Sequence, residues 1–74
     1  MKRQAQIRKE LIFQLYHSGH VPLSLRNIAR EARRADLDFT EPELLDGLHY
    51  LVSAGLAELL LDPVSGERRW RITA

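Results

Sequence analysis

Apolar residues recur at helical spacing in three successive stretches of the chain and then change to a spacing of two. In the first stretch Ile7, Leu11, Ile12 and Leu15 fall on one side, with Lys2, Gln6, Lys9 and Glu10 on the other. That pattern predicts an amphipathic helix over about 3–18. Gly19 stops it. Pro22 disfavours the α region at Val21, so 21–23 reads as a short extended bridge. Ser24 is a good N-cap residue for a second helix over about 24–34. Leu25, Ile28, Ala29 and Ala32 form its narrow apolar face, and Arg26, Arg30, Arg33 and Arg34 lie on or beside the wet face. Residues 35–39 then read as a turn, with Leu37 or Phe39 tucked inward.

The third helix, over about 40–54, carries the clearest start signal. Thr40-Glu41-Pro42-Glu43 fits a capping box, in which the Thr40 hydroxyl accepts from the N–H of Glu43 and the Glu43 carboxylate accepts from the N–H of Thr40. Pro42 is tolerated because first-turn N–H groups have no intrahelical partner. Leu44, Leu45, Leu48, Leu51 and Val52 supply the core stripe, and Gly55 suits the left-handed position that ends a helix. Beyond it, 56–61 and 67–73 read as strands joined by the turn formers of 62–66, together a hairpin over about 56–73. Trp70 and Ile72 share one face of the second strand, and Arg69 and Arg71 share the other. With no linker or repeat, the whole chain, 1–74, is expected to be one mostly α domain with a small β-hairpin.

Composition narrows the function classes. A chain of 74 residues holds one core and buries only about 60% of its unfolded surface, which leaves little room for a deep substrate cleft. The chain has no cysteine, which excludes a disulfide scaffold and thiolate zinc sites and fits a reducing compartment. Lys2 and Arg3 are followed by polar residues and not by an apolar signal-peptide core. No apolar run approaches the roughly 20 residues of a membrane span. A cytoplasmic location is expected. The net charge of +1 is too small to name a partner, so the distribution of charge matters more than its sum.

The order of three helices and a hairpin resembles the winged helix-turn-helix superfamily, as in MarR-like and related small bacterial and phage regulators. The residues that carry the resemblance are Leu51, Gly55 and Leu56 at the end of the third helix, Trp70-Arg71-Ile72-Thr73 in the last strand, and Ser24-Leu25-Arg26-Asn27-Ile28-Ala29 at the start of the second helix. It implies a winged helix fold with a two-stranded antiparallel wing, and DNA binding in the service of transcription regulation or a phage-type accessory role. In DNA-binding members the outward face of the third helix enters the major groove and carries basic or amide residues. Here that face, stepped at 100° per residue from the leucine stripe, is Pro42, Glu43, Asp46, His49, Tyr50 and Ser53. It has no lysine or arginine.

The expected DNA contacts are therefore the wing arginines Arg68, Arg69 and Arg71 and the second-helix arginines Arg26, Arg30, Arg33 and Arg34, with His49 and Tyr50 offering limited base readout. Arginine suits phosphate because its planar fork grips two oxygens at once. Local pairs, such as Glu67 with Arg69 or Glu31 with Arg34, would instead make some of these a solvated surface. The alternative is a protein-interaction module docking a basic partner on Glu43, Asp46 and Tyr50. Phe13, opposite the apolar stripe of the first helix, is a further candidate contact. His17, His20 and His49 make a poor metal motif. No nucleophile–base pair or phosphate loop is present. The expectation is a binding protein without cofactor or metal, not an enzyme, and a monomer or weak homodimer.

Overall fold

A computed structural model describes residues 2–73. The chain ends at 1 and 74, and the place of the Lys2 side chain on the polar side of the first helix, lie outside the described residues. The elements run α1 (Lys2–Ser18), β1 (Leu23–Ser24), α2 (Leu25–Arg34), α3 (Glu41–Ser53), β2 (Ala57–Leu61) and β3 (Arg68–Ile72). The expected helices and hairpin are all present within a residue or two. The sheet differs from the expected hairpin: it has three strands in the order β1-β3-β2, all antiparallel. The stretch expected to be a mere bridge pairs Leu23 with Trp70 and Ser24 with Arg69. The wing is thereby tied to the start of α2, because Ser24 is also that helix's N-cap and accepts from the Asn27 N–H.

The core is one cluster: Ile7, Leu11 and Leu15 of α1, Ile28 and Ala29 of α2, Leu44, Leu48 and Leu51 of α3, and Ala57 and Trp70 of the sheet. Leu25, Phe39, Leu45, Val52 and Ile72 pack against it while partly exposed. Ile12 is a correction, for it is 38% exposed. The apolar stripe of α1 is narrower than its sequence suggests. Gln14 is buried, and its amide donates to Glu10 Oε2 and to the carbonyl of Ile28. These bonds satisfy the amide nitrogen, while the buried Oε1 has no partner among the described residues and so carries a desolvation cost.

Gly47 sets how closely α1 and α3 approach. A Cβ there would lie 2.6 Å from Leu11 Cδ1 and 3.0 Å from Ile7 Cγ2, so any side chain would push the two helices apart. Gly55, at φ 76°, ends α3 in the left-handed conformation that glycine adopts without steric cost.

The same position at the end of α2 is held by Asp36, at φ 61°. Its neighbour Leu37 donates to the carbonyl of Ala32 at 2.9 Å, closing the helix end. A Cβ in this conformation is strained, although aspartate bears it better than most residues. Asp36→Gly is accordingly expected to stabilise the domain by about 0.5–1 kcal/mol, raising Tm by about 3–6 °C. Thermal unfolding followed by circular dichroism reads this directly, and an unchanged or lower Tm would contradict it.

Candidate nucleic-acid interface

Two grooves gather four of the seven expected arginines. In the first, Arg26 of the α2 amino-terminal turn and Arg68 of β3 line one concavity with Leu25, Glu41, Glu67 and Trp70. Glu41 is the first residue of α3, so this groove opens at the end of the helix where unsatisfied N–H groups create partial positive charge. In the second, Arg30 and Arg69 line a concavity with Gln14, Asn27 and Phe13 among others. Both grooves use the wing strand that pairs with β1, Arg68 in the first and Arg69 in the second.

The other three, Arg33, Arg34 and Arg71, fall elsewhere or are engaged, and of the four in the grooves Arg69 is engaged as well. Arg71 bonds Glu58 across the β2–β3 pair, where the two residues face each other in register. Arg69 bonds Glu67 at 2.9 Å, and Arg34 bonds Glu31 at 3.4 Å. Both of these local pairs are the ones the sequence offered. Arg33 and Arg34 are exposed at the far end of α2. Among the described residues, Arg26, Arg30, Arg33 and Arg68 have no carboxylate within 4.0 Å. The Arg68 guanidinium lies 5.9 Å from the centroid of the buried Trp70 ring.

The outward face of α3 departs most from the sequence reading. Pro42, Asp46, His49, Tyr50 and Ser53 are exposed as expected. Glu43 is not a free carboxylate. It completes the capping box, accepting from the Thr40 N–H at 2.9 Å, and it binds Arg3 of α1 through two contacts at 2.5 and 3.0 Å. Arg3 also donates to the Asp38 carbonyl at 3.3 Å and stands 5.2 Å from the Phe39 ring centroid. One cation thus ties the start of α1 to the α2–α3 turn and the start of α3. The second cation beside this face is Arg8, whose guanidinium carbon is 3.6 Å from the Tyr50 ring centroid. Sequence reasoning missed both. Arg3 and Arg8 flank the apolar stripe of α1, but nothing in their spacing says which neighbouring helix they meet.

The Arg3 contact, with help from the Thr40 N–H, lowers the Glu43 pKa from an ordinary 4.5 to about 2. A depressed folded-state pKa means that its contribution to stability is complete above about 4.5 and is lost as pH falls towards 2. Asp62 is lowered as well, because the N–H groups of Ser65 and Val64 in the hairpin turn donate to it. Comparing wild type with Glu43→Gln isolates the first group. The Tm advantage of wild type is expected to shrink between pH 4.5 and 2 and to hold steady above pH 5. An advantage independent of pH would contradict the assignment.

Phe13 is 58% exposed with its ring 4.3 Å from that of His17, which also meets Tyr16 edge-on at 5.9 Å. Among the described residues no group of three or more His, Asp or Glu side chains is gathered to hold a metal ion, and no helix is long and apolar enough to cross a membrane.

The chain is similar to a solved structure of the Helicobacter pylori ferric uptake regulator Fur, a protein reported to have three functional metal-binding sites. The match has a TM-score of 0.78 and 27% sequence identity, covering 90% of this chain and 44% of that one. The fold is a winged helix. The chain spans less than half the length of that regulator. No protein-family model and no curated protein matches the chain.

Proposed function

We propose that this chain is a DNA-binding winged helix domain of a transcription regulator, bacterial or phage and acting in the cytoplasm. It would grip the phosphates of double-stranded DNA through Arg26 and Arg30 of α2 and Arg68 and Arg69 of β3. The observation that carries the reading is the meeting of Arg26 and Arg68 in one groove at the amino-terminal end of α3. Glu41 and Glu67 line the same groove, but neither pairs with these arginines within 4.0 Å, which leaves both guanidinium groups open to a duplex backbone that presents anions in rows. The likeness to a regulator at 27% identity supports the same conclusion. The rival reading, a basic protein docked on α3, is weakened because Arg3 already occupies Glu43.

The proposal is tested by fluorescence anisotropy on a labelled random-sequence duplex across a salt series. Binding through three or four phosphates is expected to give a log–log salt slope of about −3 to −4, each neutralised phosphate contributing about −0.9. No binding at low salt would refute the proposal.

A further inference from the structure

We infer that Arg8 of α1, held over the ring of Tyr50 of α3, is a phosphate-binding group of the same DNA surface, with Tyr50 as its positioning residue. The inference rests on the DNA-binding reading above and extends the interface onto a helix outside the helix-turn-helix and the wing.

Three observations converge. The outward face of α3 carries no cation of its own, yet Arg8 reaches its border from the neighbouring helix. At 3.6 Å from the ring centroid, the guanidinium is within ordinary stacking distance of the Tyr50 ring, and cation–π attraction operates within about 6 Å. A stacked guanidinium uses its flat face against the ring and keeps its N–H donors along the edge, where a phosphate oxygen can accept from them. Among the described residues Arg8 has no carboxylate partner within 4.0 Å, in contrast to Arg3, Arg34, Arg69 and Arg71.

Burial adds to the case. Arg8 is half-buried while Tyr50 is 46% exposed, so the stem is pinned and the contact opens at the surface. Part of the ordering entropy that a free arginine would lose on binding is already lost in the folded protein. Both residues border the groove between α1 and α3, Arg8 together with Asp46 on one side and Tyr50 near Leu56 and Ile12 on the other. Once Arg3 has neutralised Glu43, Asp46 is the carboxylate left facing Arg8 across that groove. The local balance at this edge of α3 is therefore two cations, Arg8 and Lys9, and one anion, not the two unrelieved carboxylates that the sequence of α3 suggests.

The experiment is a double-mutant cycle of Arg8→Ala and Tyr50→Leu, with Arg8→Lys as a fold-preserving companion, measured by anisotropy on the random-sequence duplex. Arg8→Ala is expected to weaken binding about tenfold and to reduce the magnitude of the salt slope by about 1, the signature of one lost phosphate contact. Arg8→Lys keeps the charge but loses the stacked fork, and should fall between wild type and Arg8→Ala. Tyr50→Leu should cost several-fold on wild type and almost nothing on the Arg8→Ala background, because a positioning residue acts only through the group it positions. In the free protein, the upfield ring-current shift of the Arg8 side-chain protons should vanish in Tyr50→Leu. Wild type that binds DNA with a salt slope unaltered by Arg8→Ala would overturn this inference while leaving the DNA-binding reading intact. Equal effects of Tyr50→Leu with and without Arg8 would overturn the positioning role. A wild type that binds no duplex at all would overturn both.

Discussion

Leu48→Asp leaves the chain unfolded. Leu48 is wholly buried at the centre of the cluster that joins all three helices to the sheet. An aspartate there has no partner, and burying an unpaired charge costs several kcal/mol against a total stability of about 5 kcal/mol for a domain this small. The expected result is loss of the cooperative melt and of dispersed amide resonances. Leu61→Asp is the matched control. Leu61 is 65% exposed, so the same substitution should leave Tm within a few degrees of wild type, as surface changes change stability by about 0.5 kcal/mol or less. A soluble, cooperatively melting Leu48→Asp protein would mean that the core is assembled differently.

Reversing Arg26 and Arg68 together should abolish duplex binding. The two share the groove at the start of α3, and each charge-assisted contact to phosphate contributes about 1.5–3 kcal/mol. Arg26→Glu with Arg68→Glu removes two such contacts and adds two repulsive charges, so affinity at low salt should fall more than a hundredfold. Arg33→Glu with Arg34→Glu makes the same change in net charge at the other end of α2. It should cost only the few-fold loss expected from long-range electrostatics. Equal losses from the two pairs would show that net charge, not the groove, governs binding. Asp46→Asn should tighten binding modestly. Reversal of Glu43 is a poor probe of repulsion, because it would break the capping box and the Arg3 pair at once.

The elements were legible in the sequence because their signals are local. Ser24 and Thr40 cap the helices they precede, Gly55 ends α3, and the alternation of Arg69, Trp70, Arg71 and Ile72 fixes which strand face is buried. What escaped was set by contacts between elements. Leu23 and Ser24 are too few to show a strand period, and only the docked wing makes them one. Gly47 reads as a weak point in a helix until α1 is laid against it. Ile12 is exposed where Gln14 is buried because the rotation of α1 is decided by what it packs on. The candidate site divides in the same way. The arginines of α2 and the wing were visible as residues, but their sorting into grooves and ion pairs depends on which strand edges and helix ends meet. Arg3 and Arg8, 40 and 42 residues from Glu43 and Tyr50, give no sequence signal of the charges they bring to α3.

The measurement that bears most directly on the central claim is amide chemical-shift mapping of the labelled protein titrated with a short random-sequence duplex. The largest perturbations are expected around Arg26 and Arg30 in α2, Glu41 at the start of α3, and Arg68 and Arg69 in β3, with a second set near Arg8 and Tyr50. The α2 carboxy-terminal turn at Arg33 and Arg34 should remain nearly unperturbed. Perturbations confined to the Phe13 face of α1 or to the outer edge of β2, or none at saturating duplex, would contradict the account.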